Sequence, residues 1–244
     1  MELVKTEDGT WTARSARFDE CYHSTRDGAF QESLKKHVAP AFSLVDPEKE
    51  TIRILDICFG LGYNTLTTLW YLQTRGIDRR LIVHSPEMDE ELVRSLVDFP
   101  YPEALAPFKE VIEKVATDGR YDDEKVSIRV IFSDARDYLR ETEERFDIVY
   151  QDAFSPKKNP SLWTYEYFAD LTAHLGEDAI VTTYSSATPV RMGMAANGLY
   201  LYLPPYSDVR RGTIASPRDD LPLEPIDMTL KKERNPHAAP LYDR

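Results

Sequence analysis

From residue 52 to residue 203 the chain alternates between strand-like and helix-like patterns, and few architectures satisfy that alternation. Apolar runs at 52–57, 81–85, 127–132, 146–150, 179–184 and 199–203 have strand length and composition. Between them apolar residues return at helical spacing, as Leu66, Leu69, Trp70 and Leu72 do within 65–74. Further helices are expected up to Val97, near 108–115, from Asp134, near 165–175 and near 190–197. Strand, turn and helix in this order build a parallel α/β sheet with helices on both faces, and such sheets bind ligands at the carboxyl ends of their strands. A last strand at 212–215 is expected to join as an antiparallel member, making seven.

Two segments flank this region. Alternating residues 3–6 and 10–13 surround Asp8-Gly9, which predicts a β-hairpin closed by a type I′ turn. Leu34, Val38, Ala41 and Phe42 then mark the apolar face of a helix over 31–42, with Lys35, Lys36 and His37 on other faces and a break at Pro47. Residues 217–244 hold five prolines and little periodicity, as expected of a segment that wraps a surface.

The loop Phe59-Gly60-Leu61-Gly62-Tyr63-Asn64 joins the first sheet strand to its helix. Glycine there lets backbone approach a ligand, although a tight turn that only packs helix on strand uses the same residues. Thr65 replaces the third glycine of the dinucleotide fingerprint, which disfavours a pyrophosphate-bearing cofactor. Glu87, just past the second strand, is placed to accept hydrogen bonds from both ribose hydroxyls of an adenosine. Asp134 and Ala135, after the third, are candidates for the adenine pocket; Asp134 serves equally as a helix cap. Asp152, after the fourth, puts a carboxylate where an amine nucleophile can be oriented and deprotonated, or simply caps the turn before Pro156. His84 and His174 lie within a strand and a helix, where packing explains them, and no nucleophile elbow is present.

Charge and cysteine content narrow the function classes. A net charge of -12 argues against a generally basic nucleic-acid-coating protein. However, residues 86–125 carry twelve acids and five bases, whereas 186–244 carry seven acids and eight bases, so one face is expected to be far less acidic than the other. Lys157, Lys158, Arg191, Arg210 and Arg211 are the candidate phosphate contacts. Cys21 and Cys58 have neither disulfide-framework nor zinc-site spacing, so no metal is expected. Met1 to Ser15 lack an apolar signal core and no run is long enough to span a bilayer, which points to the cytoplasm and no membrane partner.

The segment Ile54-Leu55-Asp56-Ile57-Cys58-Phe59-Gly60-Leu61-Gly62-Tyr63-Asn64, the segment from Asp152-Ala153-Phe154-Ser155-Pro156 through Lys157-Lys158-Asn159-Pro160-Ser161-Leu162-Trp163, and Tyr22-His23-Ser24 near the start together resemble the methyltransferase part of MnmC-type tRNA-modifying enzymes. The similarity runs from about Val4 to Ala215. It implies a Rossmann-like class I methyltransferase fold with a mostly parallel seven-stranded sheet. On that basis 1–45 is an N-terminal hairpin-and-helix extension, 46–216 the methyltransferase domain and 217–244 a C-terminal tail. The implied reaction uses S-adenosylmethionine to methylate the 5-aminomethyl group of a tRNA wobble uridine. Phe59, Gly60, Gly62, Asn64, Glu87, Asp134 and Ala135 would hold the cofactor and Asp152 the reacting amine, with Tyr22 and His23 beside the substrate. The flavin-dependent oxidase often fused to such domains does not fit in 244 residues, so a separate enzyme is expected to supply the amine. Two rivals share parts of this pattern. A polyamine aminopropyltransferase suits the acidity, but its usual glycine-rich loop is missing and Lys157-Lys158 would repel a polyamine. The other is a non-catalytic adenosine- or tRNA-binding protein.

Overall fold

A computed structural model describes residues 1–205 and 212–243. The chain opens with a three-stranded antiparallel sheet, β1 (Glu2–Lys5), β2 (Trp11–Ser15) and β3 (Glu20–Cys21). The hairpin forms where Asp8-Gly9 predicts it, but with a different turn. Thr6 N–H donates to the Thr10 carbonyl (2.9 Å), Gly9 N–H donates to the Thr6 carbonyl (3.0 Å), and of Asp8 and Gly9 only Gly9 has positive φ, 84°. That is the longer connection with one glycine in the left-handed region, instead of the two-residue type I′ turn, which needs positive φ twice. Asp8 instead accepts from Thr6 Oγ1 (2.7 Å) and from the Thr10 N–H (3.0 Å), a local bonding pattern that draws its backbone away from the type I′ shape.

The first helix is composite: α1 (Ala29–Glu32), a π-helical stretch (Ser33–Val38) and α2 (Ala39–Leu44). Pro40 explains the widening. It has no N–H to give the carbonyl of Lys36, and its ring crowds that carbonyl, so the preceding turn opens. The opened turn leaves His37 fully buried and aimed at the sheet.

The central sheet comprises β4 (Thr51–Ile57), β5 (Arg80–Pro86), β6 (Arg120–Asp122), β7 (Val126–Ile131), β8 (Phe146–Gln151), β9 (Leu175–Thr183), β10 (Tyr200–Tyr202) and β11 (Thr213–Ser216). Their order is β10-β11-β9-β8-β4-β5-β7-β6. The strands β9, β8, β4, β5 and β7 run parallel, and β11 inserts antiparallel beside β9. All seven anticipated strands are present. The eighth, β6, is a three-residue antiparallel edge that follows Gly119, the left-handed end of α5, and turns back onto β7 at Asp123, whose carboxylate accepts from the Lys125 and Val126 N–H groups. Its polar sequence Arg-Tyr-Asp carries no alternation by which to recognise it.

Helices α3 (Tyr63–Arg75), α4 (Glu90–Ser95) and α5 (Lys109–Asp118) pack with the N-terminal helix on one face; α6 (Ala135–Glu141), α7 (Tyr165–Ala173) and α8 (Thr188–Ala196) cover the other. The strands show why both faces are covered. Ile52, Ile54, Ile148 and Ile180 join the first core, and Leu55, Ile57, Val149 and Val181 join the second. Strands apolar on both faces need cover on both, the ordinary condition of parallel sheets. Each such fully buried side chain contributes roughly 1.5–3 kcal/mol by leaving water.

The last segment wraps the second face. It carries α9 (Met228–Arg234), the Tyr165 N–H donates to the Leu241 carbonyl (2.7 Å), and Asp243 pairs with Arg136. No helix among the described residues is long and apolar enough to cross a membrane, and no cluster of three or more His, Cys, Asp or Glu there could hold a metal.

Candidate active site

A cavity of about 610 Å³ opens at the carboxyl ends of β4, β5, β7 and β8 and is walled on its fourth side by the N-terminal extension. Tyr22, His23, Phe59, Gly60, Asn64, Glu87, Asp134, Ala135 and Asp152 all line it.

The β4–α3 loop has unusual backbone geometry: Cys58, Gly60 and Gly62 have φ of 67°, 54° and 71°. A Cβ added at Gly60 would sit 3.1 Å from the Tyr22 ring, and one at Gly62 3.0 Å from the Phe59 ring. The two glycines divide the work. Gly60 faces the cavity, while Gly62 does not line it and serves as the left-handed residue before α3. Glu87 locks the loop from β5, accepting from the Gly60 N–H on Oε2 (2.9 Å) and from the Asp89 N–H on Oε1 (2.9 Å). Burial pushes its carboxyl above the usual range, and those backbone donors hold the rise back. Each oxygen keeps a lone pair with which to accept a ribose hydroxyl. Asp134 lines the cavity and is also the α6 cap, accepting from the Arg136 N–H (2.8 Å).

The opposite wall centres on Asp152. Its side chain is 9% exposed, and Oδ2 accepts from Asn64 Nδ2 (2.9 Å) while Oδ1 lies 3.4 Å from His37 Nε2. Burial alone would raise its pKa, but His37, His23 and the Asn64 amide outweigh it and hold the carboxylate below its ordinary value. The surrounding loop is fixed at several atoms. Trp163 Nε1 donates to the Phe154 carbonyl (2.8 Å), Tyr184 Oη to the Ala153 carbonyl (2.8 Å), and Ser155 Oγ to Glu20 of the extension (2.9 Å).

Asn64 joins the glycine loop to this wall: its amide also reaches the fully buried Asp56 (3.3 Å), which accepts from Thr65 Oγ1 as well (2.8 Å). Burial, with repulsion from Asp152, raises Asp56 to about 7 against the pull of those donors. His23 is buried, its imidazole pKa lowered by burial, and its Nδ1 has no hydrogen-bond partner among the described residues. Lys36 bridges Asp27 and Glu32, both at 2.7 Å, and offsets part of their negative charge.

The cationic candidates fare differently. Arg191 is 6% exposed, and its guanidinium is spent on Thr213 Oγ1 (2.9 Å) and the Gly212 carbonyl (3.0 Å), so it braces β11 and is not available to a phosphate. A helix-start arginine beside a strand end is equally an internal brace, and the sequence does not distinguish the two. Lys157 and Lys158 are exposed outside the cavity, with Lys158 paired to Asp19 (3.2 Å). Arg210 and Arg211 lie outside the described residues. His84 and His174 are packing residues, bonded to Tyr138 Oη (2.6 Å) and to the Glu144 carbonyl (3.0 Å). The sequence carries no signal that marks His37, Asp56 or Thr182 as site residues. Nothing in a single chain links position 37 to 152, and His37 there is one polar residue in a mixed helix.

A mostly parallel sheet centred on β4, a left-handed glycine loop, and carboxylates at the next two strand ends define a class I S-adenosylmethionine-dependent methyltransferase. Residues 103–216 match a family model for S-adenosyl-L-methionine-dependent methyltransferases. The structure is similar to that of MnmC2 from Aquifex aeolicus, with 32% identity, a TM-score of 0.85, and coverage of 99% of this chain and 78% of that one. The uncharacterized protein MJ0670 of Methanocaldococcus jannaschii is 31% identical over 82% of this chain and 54% of its own. The tRNA 5-methylaminomethyl-2-thiouridine biosynthesis bifunctional protein MnmC of Azoarcus is 31% identical over 80% of this chain and 32% of its own. The chain thus spans about half the length of the first of these curated relatives and a third of the second. It belongs to the MnmC-type family of S-adenosylmethionine-dependent methyltransferases. Its cofactor is S-adenosylmethionine, and the tight glycine approach and the Glu87 carboxylate fit that ligand.

Proposed function

We propose that this enzyme methylates the amine of 5-aminomethyl-2-thiouridine at the wobble position of tRNA, giving 5-methylaminomethyl-2-thiouridine. One observation carries the reading: a nearly buried carboxylate, Asp152, held below its ordinary pKa in the same cavity as the glycine loop and Glu87. When bound, S-adenosylmethionine supplies an electrophilic methyl group. Asp152 accepts an N–H of the neutral amine and so points its lone pair along the line of transfer. As the nitrogen–carbon bond forms and the carbon–sulfur bond breaks, positive charge grows on nitrogen. The carboxylate stabilises that charge and accepts the proton the nitrogen then loses. Glu87, through Gly60, keeps the loop in the shape that the cofactor's ribose meets.

A nucleoside substrate is supported by the aromatic wall beside Asp152. Phe18 stacks on Phe154 with centroids 4.5 Å apart, Tyr22 packs at 4.9 Å from Phe154, and all three line the cavity. Such a wall suits an unstacked base extruded from a tRNA loop. The names of the MnmC relatives point the same way. On this reading residues 1–45 cover the substrate, 46–216 form the catalytic domain and 217–244 strap its back. The enzyme works in the cytoplasm, and a separate enzyme delivers the amine.

The test is incubation of tRNA bearing 5-aminomethyl-2-thiouridine with S-adenosylmethionine, followed by mass spectrometry of the digested nucleosides. One added methyl on that nucleoside is the expected result. An unchanged nucleoside, with aminopropyl transfer to a free polyamine in a parallel reaction supplied with decarboxylated S-adenosylmethionine, would replace this reading with the polyamine one.

A further inference from the structure

Behind Asp152 a second buried group completes a chain of contacts that the amine-methylation reading leaves unused. His37 is fully buried, with Nδ1 3.0 Å from Thr182 Oγ1 on β9 and Nε2 3.4 Å from Asp152 Oδ1. Its ring stands edge-on to Tyr150, centroids 5.8 Å apart. Three neighbouring elements thus hold it: β8 through Tyr150, β9 through Thr182, and the π-helical stretch that carries it. Of the titratable groups, Asp152, His23 and Asp56 act on it.

The Thr182 hydroxyl reaches His37 Nδ1 at 3.0 Å and the Val149 carbonyl at 3.5 Å. Either atom of the Nδ1–Oγ1 contact can donate, so the other ring nitrogen decides the tautomer. Nε2 faces a carboxylate oxygen, which can only accept, and so the proton belongs on Nε2 and Nδ1 is left to accept from Thr182. We propose that His37 is a positioning residue for methyl transfer, fixed by Thr182 as the Nε2–H tautomer so that it holds Asp152 Oδ1 while Asn64 holds Oδ2. Nε2 makes no other hydrogen bond among the described residues and lies 3.4 Å from Oδ1, so its proton has only this carboxylate to serve. A carboxylate bonded by Asn64 at one oxygen and faced by an N–H at the other is restrained from rotating toward solvent, and its remaining lone pairs keep their direction toward the amine. His37 does not line the cavity, so it acts through Asp152.

The inference rests on Asp152 serving an amine, and the experiment separates the two. Nitrogen-15 NMR of the imidazoles in the unliganded parent, with His37 assigned by its loss in His37→Gln, reads the tautomer without substrate. Protonation at Nε2 is expected, and protonation at Nδ1 overturns the proposal. In single-turnover methylation of the tRNA, His37→Phe should lower the rate constant about 10- to 100-fold, the cost of a misplaced group, with S-adenosylmethionine affinity within about threefold. His37→Gln, whose amide can donate from the Nε2 position, should recover most of that loss. If it is as slow as His37→Phe, donation to Asp152 is not the role. Should His37→Phe fail to fold, Thr182→Val is the second variant: it should slow turnover while Thr182→Ser restores it, and parent-like turnover in Thr182→Val overturns the tautomer lock. A parent inactive on the tRNA counts against the substrate reading alone, and the ring spectrum then decides for or against His37.

Discussion

The two halves of the cavity hold their carboxylates in opposite ways. On the cofactor side Glu87 is bound by backbone N–H groups of Gly60 and Asp89, and burial still pushes its carboxyl upward. On the amine side Asp152 is as thoroughly enclosed, yet His37, His23 and Asn64 hold it below its ordinary value. Burial is common to both, so the partners decide the outcome. A carboxylate backed by neutral amides suits a ligand's hydroxyls, whereas one held ionised by imidazoles and an amide suits a group that becomes cationic. Asp56 sharpens the contrast. It shares Asn64 with Asp152, but its raised pKa of about 7 shows that Asn64 and Thr65 do not offset its burial and the neighbouring charge.

If the halves divide the labour this way, their variants should separate by kinetic parameter. Asp152→Ala carries the largest effect: single-turnover methylation should fall by at least about 100-fold, the low end for general acid–base assistance, with cofactor affinity within a few-fold. Equal losses of rate and cofactor affinity would mean that the two walls are not independent. Glu87→Ala comes next. Titration calorimetry should show S-adenosylmethionine binding weakened by roughly 1.5–3 kcal/mol, the range for hydrogen bonds to a charged group. Unchanged affinity would reduce Glu87 to a brace for the glycine loop.

The same division explains what a single sequence reveals. The cofactor half is local: Gly60, Glu87 and Asp134 each sit within a few residues of a strand's carboxyl end, so the strand pattern alone locates them. The amine half is assembled across the chain. Asp152 is legible because it too follows a strand, but its partners His37, Asn64 and His23 come from a π-helical turn, a helix start and the N-terminal extension. The π-helical turn has a local cause in Pro40, yet helical periodicity drawn through it puts His37 on the wrong face. Arg191 failed for the related reason that charge does not reveal burial. The type I′ turn failed because Asp8 bonds its own neighbours.

The smallest expected effect concerns how an acidic protein meets a polyanion. The acidic segment 86–125 supplies β5 only in part, then α4, α5 and β6, on the side of the sheet that ends in β6. The Lys157-Lys158 loop follows β8, on the other side of β4, next to the extension that walls the cavity. The two lysines are not equal. Lys158 is already paired with Asp19, which also binds Arg14, whereas Lys157 has no ion pair among the described residues. Pairing reduces the net charge that Lys158 brings to a phosphate, so the double reversal to glutamate should remove little more than one phosphate contact. Each neutralised phosphate contributes about -0.9 to the slope of log K against log salt on duplex and about -0.7 on single strands. The slope for tRNA binding should therefore flatten by roughly 0.7–0.9, with S-adenosylmethionine affinity unchanged. A change twice as large would show that Asp19 releases Lys158 when tRNA binds. An unchanged slope would move the docking face away from the β8 loop and leave the aromatic wall of Phe18, Phe154 and Tyr22 as the main substrate contact on that side.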